Sequence, residues 1–286
     1  MKIGIIGLGL IGGSLGRAIV SKTNDKVYAL DIDKKSMLSG KLLSAYHFEL
    51  TEQNISDMDI VFFTLYPEQL EKSLAEYCPK LKKGCLVADC CGNKRRVVAQ
   101  MKKLSKLYPD LEFISTHPMA GREFSGVSHS TVGLFERASM ILVPVSAQLK
   151  TIAKLKDYSY SLGFDRVVMS TAKEHDEIIA FTSQLAHLVS SSYIKSERAS
   201  KFIGFSAGSF RDMTRVARLV PEMWAQLTLD NADFLVEELD SFINHLSEYR
   251  IALKNRDKDS LKELLSDGNE KKLLSEKRRR EKNDDK

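Results

Sequence analysis

Cysteines arranged to bridge or to hold metal are what this chain of 286 residues most plainly lacks. Its four cysteines are Cys78, Cys85, Cys90 and Cys91; none forms a C-x-x-C pair of the zinc or redox kind, and the adjacent Cys90 and Cys91 cannot comfortably bridge each other. They read as reduced thiols of a cytoplasmic protein, filling small apolar spaces. A run of about 18 apolar residues is also missing, so no membrane span is expected. The apolar start after Lys2 resembles a secretory leader only superficially, because Gly7, Gly9, Gly12 and Gly13 interrupt it. Strong charge of one sign is absent too. The net charge is +5, and residues 269–286 hold eight Lys or Arg against five Asp or Glu, which leaves only +2 for the rest. An excess confined to a terminal tail reads as a solvated, frayed end rather than a nucleic-acid surface.

What is present is an ordinary globular composition, 43% apolar and 28% charged, which excludes disordered, collagen-like and disulfide-framework classes. A chain of this length buries roughly three quarters of its unfolded surface and needs no staples. Short β-branched runs alternate with helical patterns through the first half, the signature of a parallel sheet covered by helices. The expected strands are 2–6, 26–31, 59–65, 85–89, 112–116, 140–145 and 165–169. Asp33 is placed to cap the second helix, and Pro67 sits where a first-turn proline is tolerated.

After Ser170 the strand signals stop. Thr171 with Glu174 has capping-box spacing and opens a helix running to about Glu197. Another long helix is expected from near Pro221, and a last one over 260–265, ended by Gly268. The fold class is therefore α/β: a Rossmann-like dinucleotide-binding domain over 1–170, an all-helical substrate and dimerisation domain over 171–268, and a charged tail over 269–286. The apolar surface of the long helices suits a homodimer.

Gly7-Leu8-Gly9-Leu10-Ile11-Gly12 follows the first strand and opens a helix with Gly13-Ser14. Gly7 permits a tight turn, Gly9 lets backbone approach a pyrophosphate, and Gly12 lets the helix press on the strand. The helix N-terminus then offers free N–H groups to phosphates. Asp31 ends the second strand, 19 residues after Gly12, where a carboxylate accepts hydrogen bonds from a ribose. Asp31 and Asp33 would repel a 2′-phosphate, which favours NAD; Lys34 and Lys35 leave NADP open.

The segment Thr116-His117-Pro118-Met119-Ala120-Gly121 follows a strand, which puts His117 at the carboxyl edge of the sheet, where ligands of open α/β sheets bind. Asp176, Ala180, Ser183 and His187 recur at helical spacing and make a small, polar face that could line a cleft or simply pack on another helix.

These segments, with Glu123, Ser125-Gly126, Ser183-Gln184-Leu185-Ala186-His187 and Phe210-Arg211-Asp212-Met213-Thr214-Arg215, resemble in chain order the prephenate/arogenate dehydrogenase family. The resemblance implies NAD-dependent oxidative decarboxylation of prephenate in tyrosine biosynthesis, or of arogenate, with no metal. It implies that His117 accepts the proton of the ring hydroxyl, that Arg215 binds a substrate carboxylate, that His187 and Gln184 contact substrate, and that Gly208 brings backbone close to it. In two places the chain departs from the family pattern. Gly92 stands where many members carry a serine that supports the catalytic hydroxyl contact, and Gln184 replaces a histidine, so it cannot titrate near neutral pH. Some members also append a small regulatory domain, which is not expected after Gly268. His47, His129, His175 and His245 take ordinary structural readings, His175 as solvent-facing or packed at the domain junction. A β-hydroxyacid dehydrogenase shares the overall plan but resembles a pattern with a catalytic lysine followed by paired asparagines, and Lys173 has no such pair after it. An NAD-binding regulatory protein would have no use for His117, His187 and Arg215.

Overall fold

A computed structural model describes residues 1–122 and 124–284. The chain divides into two compact units, Met1–Ala232 and Asp233–Lys286. The first unit is built on a sheet of eight strands: β1 Lys2–Ile6, β2 Lys26–Leu30, β3 Phe48–Glu49, β4 Ile60–Phe63, β5 Leu86–Asp89, β6 Glu112–Pro118, β7 Ser139–Pro144 and β8 Arg166–Met169. Their spatial order is β3-β2-β1-β4-β5-β6-β7-β8, so the winding reverses between β1 and β4. Such a switch point opens a crevice at the carboxyl ends of the strands.

The covering helices of the sheet are α1 Leu10–Lys22, α2 Lys34–Leu42, α3 Pro67–Tyr77, α4 Arg95–Leu107 and α5 Leu149–Leu162. They form two layers. Leu15 and Ile19 of α1 and Leu155 and Leu162 of α5 pack on one face of the sheet, while Leu70 and Leu74 of α3 and Val97 and Met101 of α4 pack on the other. Both faces being covered explains the near-continuous apolar strands, such as Ile60-Val61-Phe62-Phe63, all buried. As expected, Asp33 caps α2 through the N–H groups of Lys35 and Ser36, and Pro67 occupies the first turn of α3.

Two features of the sheet were not expected. β3 is two residues long, too short to show a pattern. β7 runs antiparallel to β6, so the sheet is mixed. The chain between them loops back across α1: Thr131 N–H donates to Ser14 Oγ at 3.1 Å, and Arg17 donates to the Ser130 carbonyl.

Beyond β8 the first unit continues as α6 Ala172–Ile179, a π-helical turn Ala180–Leu185, α7 Ala186–Tyr193, α8 Gly208–Thr214 and α9 Pro221–Leu229. The capping box of Thr171 and Glu174 forms as expected, but the helix it opens ends at Tyr193. These helices belong to the same compact unit as the sheet, which runs to Ala232. The helix expected from Pro221 is broken at Asp230 and Asn231, and α10 restarts over Ala232–Asn255.

In the second unit α10 is followed by α11, Lys258–Asp284, capped by the Asp257 side chain on Asp259 and Ser260 N–H. Tyr249 donates to the Leu264 carbonyl at 3.1 Å. Gly268 does not end a helix, and the tail is helical through Asp284. One interior glycine costs about 1 kcal/mol, and successive i,i+4 pairs (Asp267 with Lys271, Lys272 with Glu276, Lys277 with Glu281) offset part of it. The tail's last two residues, and Glu123, lie outside the described residues. Among the described residues no helix is long and apolar enough to cross a membrane, and no three His, Cys, Asp or Glu side chains converge as metal ligands.

Candidate active site

At the switch point the glycine-rich turn has the geometry its spacing calls for. Gly7 has φ +99°, a region L side chains rarely adopt. A Cβ on Gly12 would stand 2.0 Å from the Gly7 carbonyl oxygen, so α1 touches the turn backbone to backbone. Gly9 is different: a Cβ there would meet nothing within 4 Å, and no side chain caps the first turn of α1. The structure therefore leaves an open approach to uncapped N–H groups, which suits a pyrophosphate. Asp31 Oδ2 accepts from Leu8 N–H at 2.6 Å and Oδ1 from Asp33 N–H at 2.8 Å. The carboxylate thus ties the end of β2 to the turn and keeps further lone pairs for a ribose. Leu10 and Ile11 open α1 beside the turn. Ser14, expected at the cofactor, is fully buried, and its Oγ accepts from Thr131 N–H in the loop between β6 and β7.

From the turn, a row of bonds steps along the carboxyl edge of the sheet. Thr64 Oγ1, just past β4, donates to the Gly7 carbonyl at 2.5 Å. Cys90 N–H, just past β5, donates to the Phe63 carbonyl at 3.0 Å, and Thr116 Oγ1 on β6 donates to the Asp89 carbonyl. His117 is the next residue, three strands along from β1.

Beneath His117 lies a buried ion pair. Lys94, at the start of α4, is fully buried; its Nζ is 2.5 Å from Asp89 Oδ2 and donates to the Thr116 carbonyl at 2.6 Å. Ser115 Oγ donates to the other Asp89 oxygen at 2.5 Å. A buried pair tolerates desolvation only when its remaining bonds are filled, as they are here.

His117 is half-buried, and its Nδ1 lies 2.8 Å from Nε2 of His175. His175 is buried, with Nδ1 2.7 Å from Asp176 Oδ1. Of the two expectations for His175, burial excludes the solvent-facing one and leaves packing at the junction, where the capping box sets α6 so that its first inward-facing side chains meet β6. Asp176 also accepts from the N–H groups of Lys94 and Arg95, at 2.7 and 2.9 Å, and so caps α4 from another helix. Burial by itself would raise Asp176, but the bonds from His175 and these amides outweigh it and hold the carboxyl below its usual range. Burial lowers His175 despite the opposing pull of Asp176, with the Lys94 charge adding to the fall. Burial, then His175 and Lys94, holds His117 well below the usual histidine range. His117 is consequently a neutral imidazole at neutral pH, the form that accepts a proton.

The π-helical turn explains where the next side chains go. Its wider winding rotates the helix face relative to plain 3.6-residue spacing, so Gln184, not Ser183, turns inward beside Ala180. Gln184 is 3% exposed; Nε2 donates to Asn93 Oδ1 at 2.9 Å and to the Leu227 carbonyl at 3.2 Å, and Oε1 accepts from Asn231 at 2.8 Å. Both ends of the amide that was expected at the substrate are thus engaged by protein. Asn231 completes the network by donating to the Asp176 carbonyl and accepting from Arg95, at 2.8 and 2.9 Å.

His187, on α7, donates from Nδ1 to the Ser183 carbonyl at 2.7 Å and lies against Trp224, ring centroids 4.1 Å apart. Its Nε2 is then the lone-pair nitrogen. Arg215 is exposed on a 3-10 turn that packs against α7, and Ser190 of α7 also donates to the Met213 carbonyl at 2.7 Å. Gly208 opens α8 on the surface. So the structure brings His187 and Arg215 to neighbouring elements, and joins His117 to α6 through His175. Sequence reasoning missed His175, Asn93, Asn231 and the Asp89–Lys94 pair. Only the His-Asp dipeptide behind a capping box carried a signal.

Comparison with known proteins matches this arrangement. The profile of the prephenate dehydrogenase nucleotide-binding domain matches residues 15–167, and that of the prephenate dehydrogenase dimerization domain matches residues 171–267. A cyclohexadienyl dehydrogenase of Zymomonas mobilis is 31% identical over 283 residues, covering 95% of this chain and 94% of the relative. A prephenate dehydrogenase of Lactococcus lactis is 28% identical, covering 93% and 75%. The prephenate dehydrogenase of Aquifex aeolicus, solved with hydroxyphenyl propionate and NAD+, shares the fold with TM-score 0.81 at 22% identity, over 96% of this chain and 98% of that one.

Proposed function

The chain belongs to the prephenate dehydrogenase family, and we propose that it oxidises prephenate with NAD to 4-hydroxyphenylpyruvate and carbon dioxide. The observation that carries this reading is His117, a neutral imidazole fixed on the same sheet edge as an open dinucleotide turn. The turn residues fit NAD: Gly9 leaves room for the pyrophosphate, the first turn of α1 is uncapped, and Asp31 offers carboxylate lone pairs to the ribose while opposing a 2′-phosphate. When bound, NAD supplies the hydride acceptor.

The chain's own residues position and neutralise. His117 Nε2 takes the proton of the ring hydroxyl as the carbon bearing it gives up hydride. Loss of the ring carboxylate as carbon dioxide leaves its bonding electrons in the ring, which becomes aromatic, and the phenolate oxygen takes a proton back. Arg215 pairs with a substrate carboxylate, its planar fork suited to two parallel bonds. His187, held against Trp224, faces the substrate side chain through Nε2, and Gly208 admits substrate close to backbone.

We take residues 1–170 as the NAD-binding part, 171–268 as the substrate and dimerisation part, and the chain as a cytoplasmic homodimer. The match to a dimerization domain supports the dimer, as do Val236, Ile243 and Leu246, each about half exposed on α10. Free thiols, with Cys78 and Cys85 pushed up to about 12 by burial, suit a reducing compartment.

The test is NADH formation with prephenate and, separately, with arogenate, because one relative is named a cyclohexadienyl dehydrogenase and one structural neighbour an arogenate dehydrogenase. Turnover of prephenate supports the reading, preference for arogenate moves the chain to the sister activity, and NADH from neither refutes both.

A further inference from the structure

Building on the reading of His117 as proton acceptor, we infer that His175 and Asp176 are positioning residues that lock His117 in the Nδ1–H tautomer and so aim its bare Nε2 at the ring hydroxyl. The assignment follows from which atoms can donate. Asp176 is a carboxylate already accepting from Lys94 N–H, Arg95 N–H and, at 3.2 Å, Arg95 Nε. It has no proton to give, so the 2.7 Å contact with His175 is Nδ1–H donating to Oδ1. Neutral His175 then carries only a lone pair on Nε2. The 2.8 Å contact with His117 is therefore His117 Nδ1–H donating to His175, and His117 Nε2 is left without a proton.

The opposite arrangement requires His175 to be an imidazolium. The groups facing the pair are Lys94, Asp89 and Asp176, and Lys94 stands fully buried with Asp89 as its own partner. A second buried cation beside Lys94 is disfavoured, in line with the lowered His175. Rigidity is supplied from outside the pair. Asp176 is fully buried and fixed by the first N–H groups of α4, and its own carbonyl is held by Asn231. This matters here because Gly92 has no hydroxyl where the family pattern carries a serine that supports the catalytic hydroxyl contact. In this chain the orienting bond comes from the helical side.

Two measurements test it. In 15N-detected spectra of the free protein near neutral pH, His117 is expected to show a pyrrole-type Nδ1 and a pyridine-type Nε2. His175→Phe, which keeps Asp176 and its cap on α4, is expected to lose that fixed tautomer. Its kcat should fall by about 100-fold, the scale of a misplaced catalytic group, with KM and NAD affinity within about twofold of wild type. His175→Gln, whose amide oxygen can accept from His117, should recover about tenfold of the loss. A wild-type His117 with its proton on Nε2 overturns the inference, and so does unchanged kcat in His175→Phe. The spectrum needs no turnover. If the protein fails to oxidise prephenate while His117 shows Nδ1–H, the lock stands and the substrate reading falls.

Discussion

Alanine at Gly9 and alanine at Gly12 are expected to fail in opposite ways. At Gly12 the added Cβ would lie 2.0 Å from the Gly7 carbonyl oxygen and 2.4 Å from Thr64 Oγ1, where real contacts do not fall below 3.0 Å. The turn must therefore part from α1 by about 1 Å, against backbone that cannot rotate aside as a side chain would. Overpacking of this kind costs about 3 kcal/mol, which for a unit of this size lowers Tm by about 6–12 °C. At Gly9 the backbone has φ −82° and ψ −159°, open to alanine, and the Cβ meets nothing. Losing a good N-cap and losing unfolded-state freedom are effects of opposite sign, each about 1 kcal/mol or less, so Tm should barely move. The methyl does fill the approach that a pyrophosphate needs. NAD affinity is expected to fall about 100-fold, or about 2.7 kcal/mol. Thermal melts without cofactor and calorimetric titration with NAD separate the two variants. Gly9→Ala binding NAD like wild type, or Gly12→Ala melting with it, would refute the assignment of the two glycines.

The acid limb of kcat/KM should lie below pH 6.5. A base works when deprotonated, and burial, with the nearby Lys94 charge, holds His117 below that value, so activity persists as pH falls through 6.5 and is lost only further down; a limb centred above 6.5 contradicts this. His117→Asn should abolish most turnover and leave NAD affinity intact in the same titration. Asn231→Leu removes bonds from Gln184 Oε1, the Asp176 carbonyl and Arg95; the carbonyl keeps the Ala180 N–H and Arg95 keeps the Asp176 carboxylate, so the loss falls on Gln184 Oε1, and at about 1–3 kcal/mol for one buried group left unpaired it should lower Tm measurably; an unchanged melt would show that water takes over that bond. Asp31→Ala should weaken NAD and narrow its advantage over NADP, read as the ratio of kcat/KM for the two cofactors, and an unaltered ratio would remove Asp31 from that choice.

Local rules made the glycine turn, the caps at Asp33 and Thr171 and most strands legible, because each depends on residues a few positions apart. His117 was legible because it closes a strand at the ligand-binding edge of the sheet. His175 was not. On α6 it is one polar residue in a first turn, and its meaning comes from β6, 58 residues earlier, which periodicity cannot see. Lys94 and Asp89 stand five residues apart around a turn, and only the fold makes them a buried pair. Gly268 misled for the reverse reason: a glycine stops a helix only when no side-chain pairs carry the helix past it. The break at Asn231 was hidden by an apolar pattern that runs on through it, although Asn231 leaves the helix to serve a buried network.

The two departures from the family pattern make sense as a single arrangement. A Cβ on Gly92 would come within 3.3 Å of Leu227 Cδ2, so α9 lies close against the turn after β5. Once there, the Leu227 carbonyl receives Asn93 Nδ2 at 2.7 Å and Gln184 Nε2 at 3.2 Å. A neutral histidine at position 184 carries one N–H and could not serve both Asn93 and Leu227 as the amide does. With α9 seated, Asn231 just beyond its end reaches Gln184 and the Asp176 carbonyl, and Asp176 holds His175 against His117. Gly92 and Gln184 therefore meet the same stretch of α9, and Gln184 helps to anchor the histidine pair through Asn231.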